Sequence, residues 1–250
     1  MAILPIQFVS GAVAQAGIVL IPAYLYAVIK RSKPVAKAAS ITLLLYVLQS
    51  LILSAPSFGV FAGLQYNWCQ KIAVIVGIAL AVVVLKLSKL DCGFGEPDSK
   101  RSYLVALLLG ALCTVIPLYF DWVSGESSTT SPEKFFFELT LPGLHEEPFY
   151  RGLLLCIWDQ AIGRPFKFAG VNFGWGAVIT SFLFILGHVC MFDKNFQLVF
   201  EPQPAAWIDL LLFSIAMVWL RYRYSSVWPA VVAHNFGNVL EVVLSPMLRH

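Results

Sequence analysis

A chain of 250 residues that is 59% hydrophobic and only 12% charged, with a mean hydropathy of +0.78, lies outside soluble composition and predicts a polytopic membrane protein. One helical bundle uses up that length and leaves no second globular domain, and the +3 net charge carries no long basic block, which excludes nucleic acid as a partner. The cysteines, Cys69, Cys92, Cys113, Cys156 and Cys190, form no CxxC pair and point to neither a disulfide framework nor a thiolate metal site.

With about 20 apolar residues per crossing, the chain predicts an all-α bundle of eight transmembrane helices. The first span covers residues 3–29. Ala12 and Ala14 resemble a cleavage site, but no positive charge precedes the apolar run, so it is read as an uncleaved helix rather than a signal peptide. Spans at 35–53, 70–87 and 103–122 complete an N-terminal group of four, residues 1–122. Residues 121–141 then form the longest polar connection, with GESSTTSPEK at its centre and FFFELTL expected as a short amphipathic helix in the interface. A second group, residues 143–250, holds spans at 144–162, 175–191, 205–220 and 227–248. No internal repeat is visible.

Lysine and arginine are unevenly divided among the connections. Lys30, Arg31, Lys33, Lys37, Lys86, Lys89, Lys100, Arg101, Arg164, Lys167, Arg221 and Arg223 fall in odd-numbered connections. Only Lys71, Lys134, Lys194 and Arg249 are counted with the alternate connections and the C-terminus, and Arg151 is left inside a span. The positive-inside rule then puts both termini on the non-cytoplasmic side of a cell membrane. Arg221 and Arg223, in LRYRY, read as cytoplasmic anchors within an aromatic belt.

Ionisable groups inside apolar spans are costly and mark function by default. Glu146, Glu147 and Arg151 open the fifth span in LHEEPFYRG, where Pro148 fits the first helical turn. His188 lies late in the sixth span, and His234 and Asn238 lie inside the eighth. Glu147 with Arg151, and His234 with Asn238, are four residues apart and share a helix face. Taken singly, the first pair also reads as a simple ion pair, His188 as a packing histidine, Asn238 as interhelical glue and His145 as an interfacial residue. The combination on three helices points to one polar centre.

EEPFYRG, FILGH and HNFGN follow the EExxxR, FxxxH and HxxxN motifs in order over residues 146–238, and here the chain resembles the CPBP family of CAAX and bacteriocin-processing (Abi) intramembrane proteases. The first four helices carry no matching motif. The resemblance implies an intramembrane endopeptidase in which Glu146 is the general base and His188 holds the water. It implies that His234 and Asn238 stabilise the oxyanion, while Glu147 and Arg151 fix the geometry. No cofactor is expected; a zinc-dependent version would use Glu146, His188 and His234 as ligands, although HExxH is absent and Asn238 is a poor zinc ligand.

The implied partners are the bilayer and a membrane-anchored substrate: a CAAX-like prenyl protein, a leader peptide or a C-terminal sorting tail. The charge rule places Glu146 and His188 in the outer half of the membrane. His234, however, is only about 10 Å in from a cytoplasmic start at Val227, so the eighth helix must tilt, begin earlier or sit deeper. A proton- or ion-coupled transporter would use similar relay groups, but the repeated halves common in transporters are missing. A non-catalytic adaptor would have no need to keep all six polar residues.

Overall fold

The computed structural model describes residues 5–124 and 130–248. Ile3 and Leu4 of the first expected span, GESST of the long connection and Arg249 lie outside the described residues. Among the described residues the regular secondary structure is helical apart from two small hairpins. The N-terminal part comprises α1 (Pro5–Ile29), α2 (Lys33–Leu53), α3 (Trp68–Val84), α4 (Arg101–Cys113) and α5 (Val115–Ser124). After it come α6 (Pro132–Glu147), a π-helical stretch (Pro148–Leu154), α7 (Leu155–Ile162), α8 (Trp175–Val189), α9 (Pro204–Arg223) and α10 (Trp228–Leu244). Hairpin β1 (Phe166–Phe168)–β2 (Val171–Phe173) precedes α8, and β3 (Cys190–Phe192)–β4 (Leu198–Phe200) follows it.

The protein is a helical membrane bundle. Among the described residues five helical runs are long and apolar enough to cross a bilayer: Ile6–Ile29, Lys33–Leu53, Arg101–Val123, Pro204–Arg223 and Trp228–Leu248. The expected third and sixth spans are the shorter helices Trp68–Val84 and Trp175–Val189, so a count of eight is not established.

The fifth span differs most from expectation. Its helix opens at Pro132, not at 144, because Ser131 accepts a hydrogen bond from the Lys134 amide at 3.1 Å, with Pro132 at the first helical position and Glu133 in the first turn. FFFELTL is therefore the body of α6 rather than a separate interfacial helix. Pro148 lies inside the run rather than at its start. Proline removes one intrahelical bond and crowds the carbonyl four residues back, and the backbone widens to a π-helix there before α7 resumes.

Small residues bring α4 and α10 together. A Cβ on Gly110 of α4 would lie 2.5 Å from the Ala233 carbonyl oxygen of α10, and one on Gly237 would lie 3.2 Å from that of Gly110. Ala106/Gly110 and Ala233/Gly237 are thus facing small-xxx-small pairs. On another face of α10, Gly143 of α6 approaches so closely that a Cβ would sit 2.8 Å from the Val231 oxygen. Successive contacts Thr130–Val242, Glu138–Asn238, Gly143–Asn235 and Glu147–His234 show that α6 and α10 run antiparallel.

The connection between α3 and α4 folds beneath these helices. Val227 donates to the Gly93 carbonyl at 2.8 Å, Ser226 Oγ to Gly95 at 2.8 Å, and Asp98 to Tyr224 at 3.2 Å. The ring of Phe94 lies against Gly152. The start of α10 is consequently level with Gly152, well inside the run from Pro132 to Ile162.

Arg221 corrects a second expectation. It is not a headgroup anchor: it is 3% exposed, donates from Nε to the Arg151 carbonyl at 3.1 Å and from Nη2 to the Asp91 carbonyl at 2.6 Å. Five guanidinium donors can satisfy several carbonyls at once, and here they tie the π-helical stretch to the α3–α4 connection. Arg223, two residues on, is exposed.

Candidate active site

Adjacent residues on an α-helix point about 100° apart, and this alone gives Glu146 and Glu147 different neighbours. Glu147 turns into the protein and is fully buried. Its Oε1 accepts from His234 Nδ1 at 2.9 Å, while its Oε2 forms an ion pair with Arg151 Nε at 3.4 Å, too loosely aligned for a hydrogen bond. Arg151 is equally buried. It donates from Nη2 to Ser214 Oγ at 3.1 Å, and its Cζ lies 4.2 Å from the Phe184 ring centre. Phe184, the first residue of FxxxH, therefore carries the motif's arginine on its face.

Glu146 turns toward a cavity of about 360 Å³. Its Oε1 accepts from Lys71 Nζ at 2.9 Å. Its Oε2 has no hydrogen-bond partner among the described residues and faces His188 Nε2 at 3.8 Å and His234 Nε2 at 4.0 Å. The two histidines are oriented from behind. His188 Nδ1 donates to the Phe184 carbonyl at 2.8 Å, and His234 Nδ1 faces the Glu147 carboxylate. A carbonyl and a carboxylate only accept, so each Nδ1 carries its proton. Both Nε2 atoms thus turn toward the free oxygen of Glu146.

Asn238 lines the same cavity one turn further along α10, and donates to Glu138 Oε2 at 2.8 Å. All six residues singled out by the motifs converge on this centre, Glu147 and Arg151 from behind. The cavity extends along α6 from Glu146 to Lys134, about 18 Å at 1.5 Å per residue, with Glu138, Asp209 and Glu241 among its walls. The donor separations of 3.8 and 4.0 Å around Glu146 exceed the roughly 3.3 Å expected around tetrahedral zinc. Among the described residues no three His, Cys, Asp or Glu side chains are arranged to hold a metal ion.

Three participants escape the motifs. Lys71, counted above as a loop charge, is a buried partner of Glu146. His145 is not interfacial: it is 2% exposed, with Nδ1 3.3 Å from Lys71 Nζ. Ser214 supports Arg151 from within α9, where a lone serine in an apolar run gives no signal. Asn235, a motif interior position, fastens α10 to α6 by accepting from the Gly143 amide at 2.7 Å and donating to the Thr140 carbonyl at 2.9 Å.

Residues 130–240 match the family model described as Rce1-like, Type II CAAX prenyl endopeptidase Rce1-like, a range that contains all three motifs. No curated protein and no solved structure matches the chain. The segment that builds this centre is thus similar to a family of CAAX-type prenyl endopeptidases, which supports a CAAX-type membrane protease.

Proposed function

We propose that the protein hydrolyses a peptide bond near the end of a membrane-anchored protein or peptide, using water activated by Glu146 without a metal ion. The observation that carries this reading is the free Glu146 Oε2 facing two imidazole nitrogens whose other nitrogens are already committed. A water held there donates one proton to Glu146 Oε2 and the other to His188 Nε2. Its oxygen attacks the scissile carbonyl as the proton passes to Glu146. His234, oriented by the Glu147 carboxylate behind Nδ1, faces the oxyanion with its Nε2 edge. The remaining N–H of Asn238 serves the same oxygen. As the C–N bond breaks, Glu146 returns the proton to the leaving amine, and the new carboxylic acid and amine depart, the acid's proton passing to the amine.

The zinc-dependent version keeps Glu146, His188 and His234 as ligands, with the metal supplying polarisation of the water. Glu146→Gln abolishes cleavage in either case, a loss of at least about 10³-fold, while leaving thermal stability near wild type. Full activity after exhaustive chelation supports the metal-free reading; loss on chelation, restored by zinc, overturns it.

A cavity about 18 Å long takes about five residues of extended chain at 3.4 Å per residue, which suits a short terminal segment better than an internal loop of a folded domain. We infer that its outer end, at Lys134 and Glu241, faces away from the cytoplasm, on the lysine and arginine distribution. A leader peptide or a C-terminal sorting tail is then a better fit than a cytosolic prenylated tail. Labelling of a Lys134→Cys variant by an impermeant thiol reagent in intact cells is expected; labelling only after permeabilisation reverses the orientation.

A further inference from the structure

Among the described residues, Lys71 is the one side chain hydrogen-bonded to Glu146 that comes from outside the family-matched segment. It sits in the first turn of α3, and its side chain and that of Glu146 are only 10% and 12% exposed. The start of α3 is not placed by chance contact. Glu133 Oε1 on α6 accepts from the Gln65 amide at 2.9 Å, the Tyr66 amide at 3.1 Å and Trp68 Nε1 at 3.2 Å. Phe137, one turn further along α6, stacks on Tyr66 at 4.8 Å between ring centres and meets Trp68 edge-on at 5.3 Å. The helix bearing Glu146 therefore also docks the segment that delivers Lys71.

A glutamate on three rotatable bonds has two equivalent oxygens, and a base that must meet a water at a fixed point needs one of them committed elsewhere. We propose that Lys71 is a positioning residue for Glu146: by holding Oε1 in a charge-assisted hydrogen bond it reserves Oε2 for the water between His188 and His234. This rests on the endopeptidase reading above and adds to it a part from the N-terminal helices. His145 Nδ1, 3.3 Å from Lys71 Nζ and 3.7 Å from Glu146 Oε1, packs against the same ion pair.

The test uses the whole chain in nanodiscs with a fluorescence-quenched peptide anchored by a transmembrane segment and carrying a short C-terminal tail, the substrate class favoured above. Lys71→Met is expected to lower kcat about 10- to 100-fold with KM changed by less than about threefold, and Lys71→Arg to restore most of the rate. A raised KM with unchanged kcat overturns the proposal, because Lys71 then contacts substrate. Equal losses in both variants, in step with a lowered melting temperature, also overturn it.

A second readout needs no substrate. Dicyclohexylcarbodiimide activates the Glu146 carboxyl, the Lys71 amine displaces dicyclohexylurea, and an isopeptide bond joins α3 to α6. Mass spectrometry is expected to find this link in wild type and not in Lys71→Arg. Modification of Glu146 without the link overturns the placement. The link without cleavage of the probe upholds Lys71 and counts against the endopeptidase reading alone.

Discussion

Two antiparallel helix seams in this molecule are built on opposite terms. Between α1 and α2, joined by a tight turn, the buried surface is Ala12, Ala16, Leu20 and Ala27 against Val35, Ala38, Ala39 and Tyr46. Between α6 and α10 it is Glu138 on Asn238, Gly143 and Thr140 on Asn235, and Glu147 on His234. Lipid solvates apolar side chains as well as another helix does, so the first seam is held mainly by shape, with Tyr46 donating to Gln15 at 2.7 Å, Ser50 to the Phe8 carbonyl at 3.1 Å and Tyr24 meeting Ser40 at 3.0 Å. In the second, each polar pair has one partner and one register. The helices that need their register fixed to within a fraction of an ångström are those that carry the chemistry.

The largest break in this contrast comes from the second seam. Glu147→Ala leaves the guanidinium of Arg151 buried at 0% exposure without its counter-charge, a loss of about 3–5 kcal/mol. Unfolding in mixed micelles should show it, and Glu147→Ala combined with Arg151→Met should recover much of the stability but not the activity. A Glu147→Ala protein as stable as wild type would mean that the ion pair is not a structural element. Glu146→Gln, one residue away, is expected to show the reverse pattern, with activity lost and stability kept.

The first seam is expected to respond to volume instead. Ala16 is fully buried, and Ala16→Leu inserts three carbons where helices are in contact, a loss of about 1–3 kcal/mol by overpacking. The folded fraction should keep its kcat, because α1 carries none of the six motif residues. A drop in kcat at unchanged stability would show that the seam is coupled to the centre, for which Gln15 offers a route: it accepts from Tyr46 Oη at 2.7 Å, and Tyr46 packs edge-on to Tyr150.

These seams also show what a sequence reading reaches. Hydropathy found the helices because lipid demands an apolar surface and internally satisfied backbone, and the motifs found the six polar residues because ionisable groups stand out in that background. Lys71 was hidden by the same rule that made the others visible: at the end of an apolar run it is indistinguishable from an interfacial lysine until α3 is seen docked on α6. Arg221 was hidden likewise, since no composition signal reports that the α3–α4 connection folds beneath it. The start of α6 was legible in Ser131–Pro132–Glu133, an N-cap, first-turn proline and first-turn acid, but the apolar threshold masked it. The π-helical stretch at Pro148 follows from the proline only once the helix is known to begin sixteen residues earlier.

Asn235 gives the finest test of the comparison, because it holds register without touching the reacting atoms. It bridges the Gly143 amide and the Thr140 carbonyl, and its neighbour His234 faces Glu146. Asn235→Ala removes both bonds where Gly143 and Val231 are already in close backbone contact, so the helices stay paired and the loss is about 1–2 kcal/mol, the upper range for interhelical bonds in lipid. What should change more is catalysis: with the α6–α10 register loosened, His234 no longer holds its distance from Glu146, and kcat is expected to fall about tenfold with KM unchanged. Equal proportional losses in stability and kcat, or a KM effect, would mean that Asn235 is ordinary glue and that the polar seam has no registering role beyond the apolar one.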